Sequence, residues 1–179
     1  MTLVISREVW RKIWNFVLFQ AAWFACILGA ADQQIWIALS VSAICIGIYL
    51  WLHANAASEY KFLLKAFIYG LVVDTLLLQL GWIQFESPLP WIGISPIWMW
   101  ALWLVFATTL KESMSWLQGK WALSAVLGAI AGPLCYEAGV RLGAAQWPNP
   151  DIQVFGLIYL ALAWACAMPL LFYFSQKDH

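Results

Sequence analysis

The chain has 179 residues, of which 64% are hydrophobic and only 10% charged, with a mean hydropathy of +0.79. Soluble domains carry about 25% charged residues, so a soluble catalytic or binding domain is excluded. Nine basic residues balance nine acidic ones, so total charge points to neither nucleic acid nor an acidic partner.

A membrane-spanning helix needs about 20 apolar residues. Apolar runs of that order occur at 13–31, 35–52, 62–80, 96–110, 122–140 and 154–174. They predict one all-α domain, a polytopic transmembrane bundle of six helices spanning residues 1–179. Their continuous apolarity excludes a membrane β-barrel, whose segments alternate over about ten residues.

Arg7, Arg11 and Lys12 precede the first run, which lacks a small-residue cleavage motif and so reads as a retained span. Within it Asn15 and Gln20 are expected to hydrogen-bond neighbouring helices. The turn AADQQ leads to the second run, and His53 at its far end reads as an interfacial residue.

The third run carries Asp74 about 18 Å from its basic end, at 1.5 Å per residue. The long connection GWIQFESPLPWIGIS contains Glu86, expected in water or at the mouth of a cavity below. Lipid-exposed irregular backbone is not tolerated in hydrocarbon, so this connection is expected at the interface. Ser95 and Pro96 read as an N-cap followed by proline at the first position of helix 4.

Helix 5 includes GAIAGPLCYEAGVRLGA. At 100° per residue Gly128, Gly132, Gly139 and Gly143 form one stripe for close helix approach, while Glu137 and Arg141 project from nearly the opposite face. Helix 5 is therefore expected at the centre of the bundle. Pro133 removes one helical hydrogen bond and frees a carbonyl near residue 129, within reach of Tyr136. Glu137 lies about 22 Å along its helix, so both acids fall in the outer half, where Arg141 can reach back to them.

Eight of the nine basic residues fall on one side, Arg141 being the exception; the positive-inside rule makes that side, and both termini, cytoplasmic. Eight of the fourteen tryptophans lie near helix ends, as in interfacial belts. Trp23, Trp100, Trp103 and Trp164 lie deeper, where packing is the plain explanation and an aromatic-lined lipid groove the alternative. Cys26, Cys45, Cys135 and Cys166 fall singly in separate apolar runs and read as small buried residues; no metal or cofactor is implied. The GxSxG, HExxH, P-loop and dinucleotide signatures are absent.

A charge in hydrocarbon costs at least ~2.5–3.5 kcal/mol, so each must be paired, hydrated or useful. Glu137 and Arg141 can neutralise one another as an i,i+4 pair. Asp74 has no base on its own helix, so it is either protonated or meets Arg141 across helices. The expected site therefore comprises Asp74 and Glu137 as acid/base groups, with Arg141, Tyr136 and Glu86 as binding residues.

The segments WNFVLFQAAWF, YGLVVDTLL, PIWMWALWLVFATTL and GAIAGPLCYEAGVRLGA resemble the DUF2878 family of bacterial inner-membrane proteins over nearly the whole chain. The Gly-Pro-x-x-Tyr-x-x-Gly-x-x-x-Gly run is the most specific part. The resemblance implies a small multi-pass inner-membrane protein of Gram-negative bacteria, of unknown function, with relatives often associated with lipid-modifying and envelope-stress genes. It carries over no catalytic residue.

Three roles are open at this point. The first is binding or processing of a membrane lipid or lipid-derived small molecule, with Arg141 attracting an anionic head. The second is a non-catalytic accessory subunit with a membrane-protein partner. The third is a small proton-coupled transporter, which needs a second polar gate that only Asn15 and Gln20 offer.

Overall fold

The computed structural model describes residues 6–53, 56–91 and 93–177. Six helices follow in order: α1 (Arg7–Ala31), α2 (Ile35–Leu52), α3 (Ala56–Gln79), α4 (Ile97–Lys111), α5 (Trp121–Arg141) and α6 (Pro150–Lys177). A short antiparallel ladder pairs β1 (Gln84–Phe85) with β2 (Ala145–Gln146). Five helices are long and apolar enough to cross a membrane, and α4, with 15 residues, is shorter. The chain is a multi-pass helical membrane protein.

Several helices run past the apolar runs that announce them, because hydropathy marks only the part inside hydrocarbon. α1 begins at Arg7, where the Ser6 hydroxyl accepts from the Val9 amide at 3.3 Å. α6 begins at Pro150, with the Asn149 side chain accepting from the Ile152 amide at 2.9 Å. Proline at the first helical position is preset for the turn and has no N–H to leave unpaired.

The start of α4 corrects the sequence expectation. Pro96 is extended, at φ −71° and ψ 156°, and takes the cap position itself; its carbonyl accepts from Met99 at 2.9 Å. Ser95 therefore does not cap the helix. Its buried hydroxyl accepts from Trp100 Nε1 at 3.1 Å and meets Thr75 Oγ1 at 3.4 Å, stapling α4 to α3.

The centre of the bundle is α4, not α5. It packs against α1, α2, α3 and α6 and buries Trp98, Trp103, Val105 and Leu110. α5 packs chiefly on α6. The glycine stripe accounts for this: a Cβ at Gly128 or Gly132 would collide with Trp164 of α6, whereas Gly139 only approaches Ile27 of α1. Gly143 lies beyond the helix end at φ +85°, a left-handed conformation that favours glycine. The stripe thus brings α5 close to one partner, with Pro133 between its two halves.

α1 starts, α2 ends, α3 starts and α4 ends at one end of the bundle, joined there by Arg11–Glu112, His53–Glu112 and Lys111–Glu59 contacts. The opposite end is closed by the β1–β2 ladder and by Ser87, whose hydroxyl donates to Gln33 Oε1 at 2.7 Å. Cys26 and Cys45 are buried as expected, but Cys135 and Cys166 are exposed; in a membrane an exposed position can be as apolar as a buried one, so sequence does not separate them.

Candidate functional site

α1 and α5 lie side by side with few contacts between them, and a cavity of about 240 Å³ occupies the gap, backed by α4 and α6. Its walls are aromatic, with Phe19 and Trp23 from α1, Trp103 and Phe106 from α4, Tyr136 from α5 and Trp164 from α6. Phe85 and Ala145 of the short ladder close it at one end and Met114 approaches it from the other. Among the described residues no Asp, Glu, Lys, Arg or His lines it.

Behind this wall sits Asp74, wholly inaccessible. Its carboxyl accepts from the Tyr136 hydroxyl and from Trp103 Nε1, the latter at 2.7 Å. Gly70, one turn earlier on α3, makes the second bond feasible, since a Cβ there would collide with the Trp103 ring. The Trp103 ring stacks on Trp164 at 4.7 Å between centroids and 18° between planes. Trp164 Nε1 is buried near the Tyr136 hydroxyl without the alignment of a hydrogen bond to it, and no other acceptor meets it among the described residues. That nitrogen is itself inaccessible, so it lies within the wall beside Tyr136 and does not face the cavity.

The structure divides the site expected from sequence. Asp74 and Tyr136 meet directly. Glu137 and Arg141 do not join them: Arg141 Nε donates to Glu137 Oε1 at 2.8 Å, and Trp147 and Gln153 donate to Glu137 Oε2 at 3.0 and 3.1 Å. The Arg141 side chain is 77% exposed, and neither residue lines the cavity. The spacing of four that makes the pair visible in sequence also lets it close on itself, leaving no charge to reach Asp74. Arg141 is thus not the cation that Asp74 was expected to meet.

Glu86 is half-buried at the mouth end, where Gln146 Nε2 donates to its side chain at 3.3 Å and its carbonyl accepts from Trp98 Nε1 at 3.0 Å. Its neighbour Phe85, not Glu86, faces the cavity. Asn15 joins α1 to α4, donating toward Thr108 Oγ1 at 3.3 Å and accepting from the Ser113 hydroxyl at 2.8 Å. Gln20 is half-buried and takes no part in that network. His53 is more than interfacial, since its Nε2 lies 3.0 Å from the buried carboxyl of Glu112.

Of the four deeper tryptophans for which the sequence offers an aromatic groove as the alternative to packing, Trp23, Trp103 and Trp164 line the cavity and Trp100 does not. What the sequence does not show is that Trp103 bonds Asp74, because that partner lies on another helix. Over residues 12–170 the chain matches the family described as "Protein of unknown function (DUF2878)". The protein belongs to that family. No curated protein and no solved structure matches it. The matched residues contain every element of the cavity wall.

Proposed function

We propose that this protein binds the hydrocarbon part of a membrane lipid or other small amphiphile in the cavity between α1 and α5, entering sideways from the bilayer. The observation that carries the reading is the aromatic cavity at a loosely packed helix boundary, lined by no charged side chain among the described residues. Ligand pockets are mainly apolar with a few placed polar groups, and this wall has that composition. Because no charged side chain among the described residues faces the space, the enclosed part of the ligand is uncharged. Asp74 acts through Tyr136 and Trp103, fixing both rings; if a proton is exchanged with the ligand, Tyr136 is the group that touches it.

The excess of basic residues at one end supports placement in a bacterial inner membrane with both termini cytoplasmic. The cavity then faces the bilayer from within the bundle, and Glu137 with Arg141 lies toward the outer surface.

Filling the cavity tests the reading. Ala131 lines it from the outward side of α5, so Ala131→Trp puts a ring into the space without entering the α6 contact of Gly128 and Gly132. Native mass spectrometry of the purified protein should show a retained neutral acyl lipid on the wild type and its loss from the variant, with unfolding temperatures alike. Equal retention by both proteins would rule the cavity out as the binding site.

A further inference from the structure

A second cavity, of about 350 Å³, lies between α1, α2 and α4 at the end of the bundle that bears most of the basic residues. Its deeper wall is apolar, from Leu18, Ile48 and Val105, and its rim is polar, from Arg11, His53 and Glu112. The Glu112 side chain is 3% exposed; Oε2 accepts from Arg11 Nε at 2.8 Å and Oε1 lies 3.0 Å from His53 Nε2.

His53 Nδ1 lies 2.7 Å from the Tyr49 carbonyl oxygen, so the ring is held between that carbonyl and Glu112. The Glu112 carboxyl is shared, with Arg11 on Oε2 and His53 on Oε1, and it engages only the Nε edge of the guanidinium.

The other charges described around the cavity are paired among themselves. Glu59 and Lys111 are buried and neutralise one another at 2.9 Å, with the Tyr49 hydroxyl also donating to Glu59. Lys12 is paired with Glu8 at 2.8 Å. Arg11 meets Glu112 through Nε alone, and its side chain is half exposed, which leaves the terminal guanidinium nitrogens able to donate. Trp14, Ile48 and Leu52 line the cavity from the exposed faces of α1 and α2, so it opens toward lipid.

We propose that this cavity holds the phosphate of an anionic membrane phospholipid, with Arg11 donating to the phosphate and an acyl chain lying along Leu18 and Ile48. His53, through Glu112, helps to hold Arg11 in place. This site is separate from the α1–α5 cavity and does not depend on that cavity binding anything.

The test uses the purified full-length protein and native mass spectrometry with three probes: phosphatidylglycerol, diacylglycerol of the same chains, and inorganic phosphate. Phosphatidylglycerol is expected to be retained in preference to diacylglycerol, and millimolar phosphate is expected not to displace it. Arg11→Gln should weaken phosphatidylglycerol about fivefold, the effect of one basic side chain at a membrane surface. Arg11→Lys should keep most of the affinity, and Glu112→Gln should weaken it less than Arg11→Gln does, since it leaves the guanidinium present. Equal retention of the two lipids overturns the proposal, as does displacement by free phosphate. Equal weakening by Arg11→Gln and Glu112→Gln also overturns it, because that is the mark of an ion pair serving structure alone. The wild-type comparison of probes stands even where a variant fails to fold.

Discussion

The two ends of this bundle handle charge in opposite ways. At one end Glu59 and Glu112 are buried, and their partners come from elsewhere in the chain: Lys111 for the first, Arg11 and His53 for the second. At the other end Glu137 and Arg141 pair across one turn of a single helix, and the arginine stays largely exposed. The first arrangement ties four helices together, whereas in the second the ion pair lies within one helix and only neutral donors, Trp147 and Gln153, link Glu137 to its neighbours. A charge pair that is easy to see in a sequence need not be the one on which the structure depends.

The largest expected effect comes from breaking the buried pair. Lys111→Met leaves Glu59 buried with the Tyr49 hydroxyl as its remaining partner among the described residues, and removing one member of a buried pair costs about 3–5 kcal/mol. Denaturant unfolding in detergent would measure it. Gly70→Val comes next: its side chain enters the space of the Trp103 ring, and overpacking of this kind costs about 1–3 kcal/mol. Near-ultraviolet circular dichroism should change with it, since the Trp103–Trp164 stack is disturbed.

Asp74→Asn preserves shape but replaces one acceptor oxygen by a donor facing Tyr136 or Trp103, and is expected to cost about 1–2 kcal/mol. The smallest effect belongs to Arg141→Gln, at less than about 1 kcal/mol, because an exposed i,i+4 pair contributes little. If Arg141→Gln destabilised the protein as much as Lys111→Met, the contrast between the two ends would be wrong.

Much of the architecture was legible in the sequence. Six apolar runs of membrane length became six helices, because hydrocarbon demands such runs. The Glu137–Arg141 pair was legible because the period of one helix predicts it. Partners on other helices were not: nothing near Asp74 in the chain announces Trp103 or Tyr136, and nothing near Glu112 announces Arg11. Nor was the central place of α4, since in lipid a wholly apolar helix gives no sign of whether it faces protein or membrane. Glycine signalled close approach correctly at Gly128 and Gly132, but close approach to one neighbour does not make a helix central.

The central claim, a hydrocarbon-binding cavity between α1 and α5, is tested most directly by photocrosslinking the protein in vesicles with a neutral lipid whose acyl chain carries a diazirine, then mapping the labelled peptides. Label is predicted to concentrate on the cavity-facing segments 19–27 of α1 and 127–136 of α5, and to fall in Ala131→Trp. Label spread evenly over the outward faces of α2, α3 and α6, unchanged by that substitution, would contradict it.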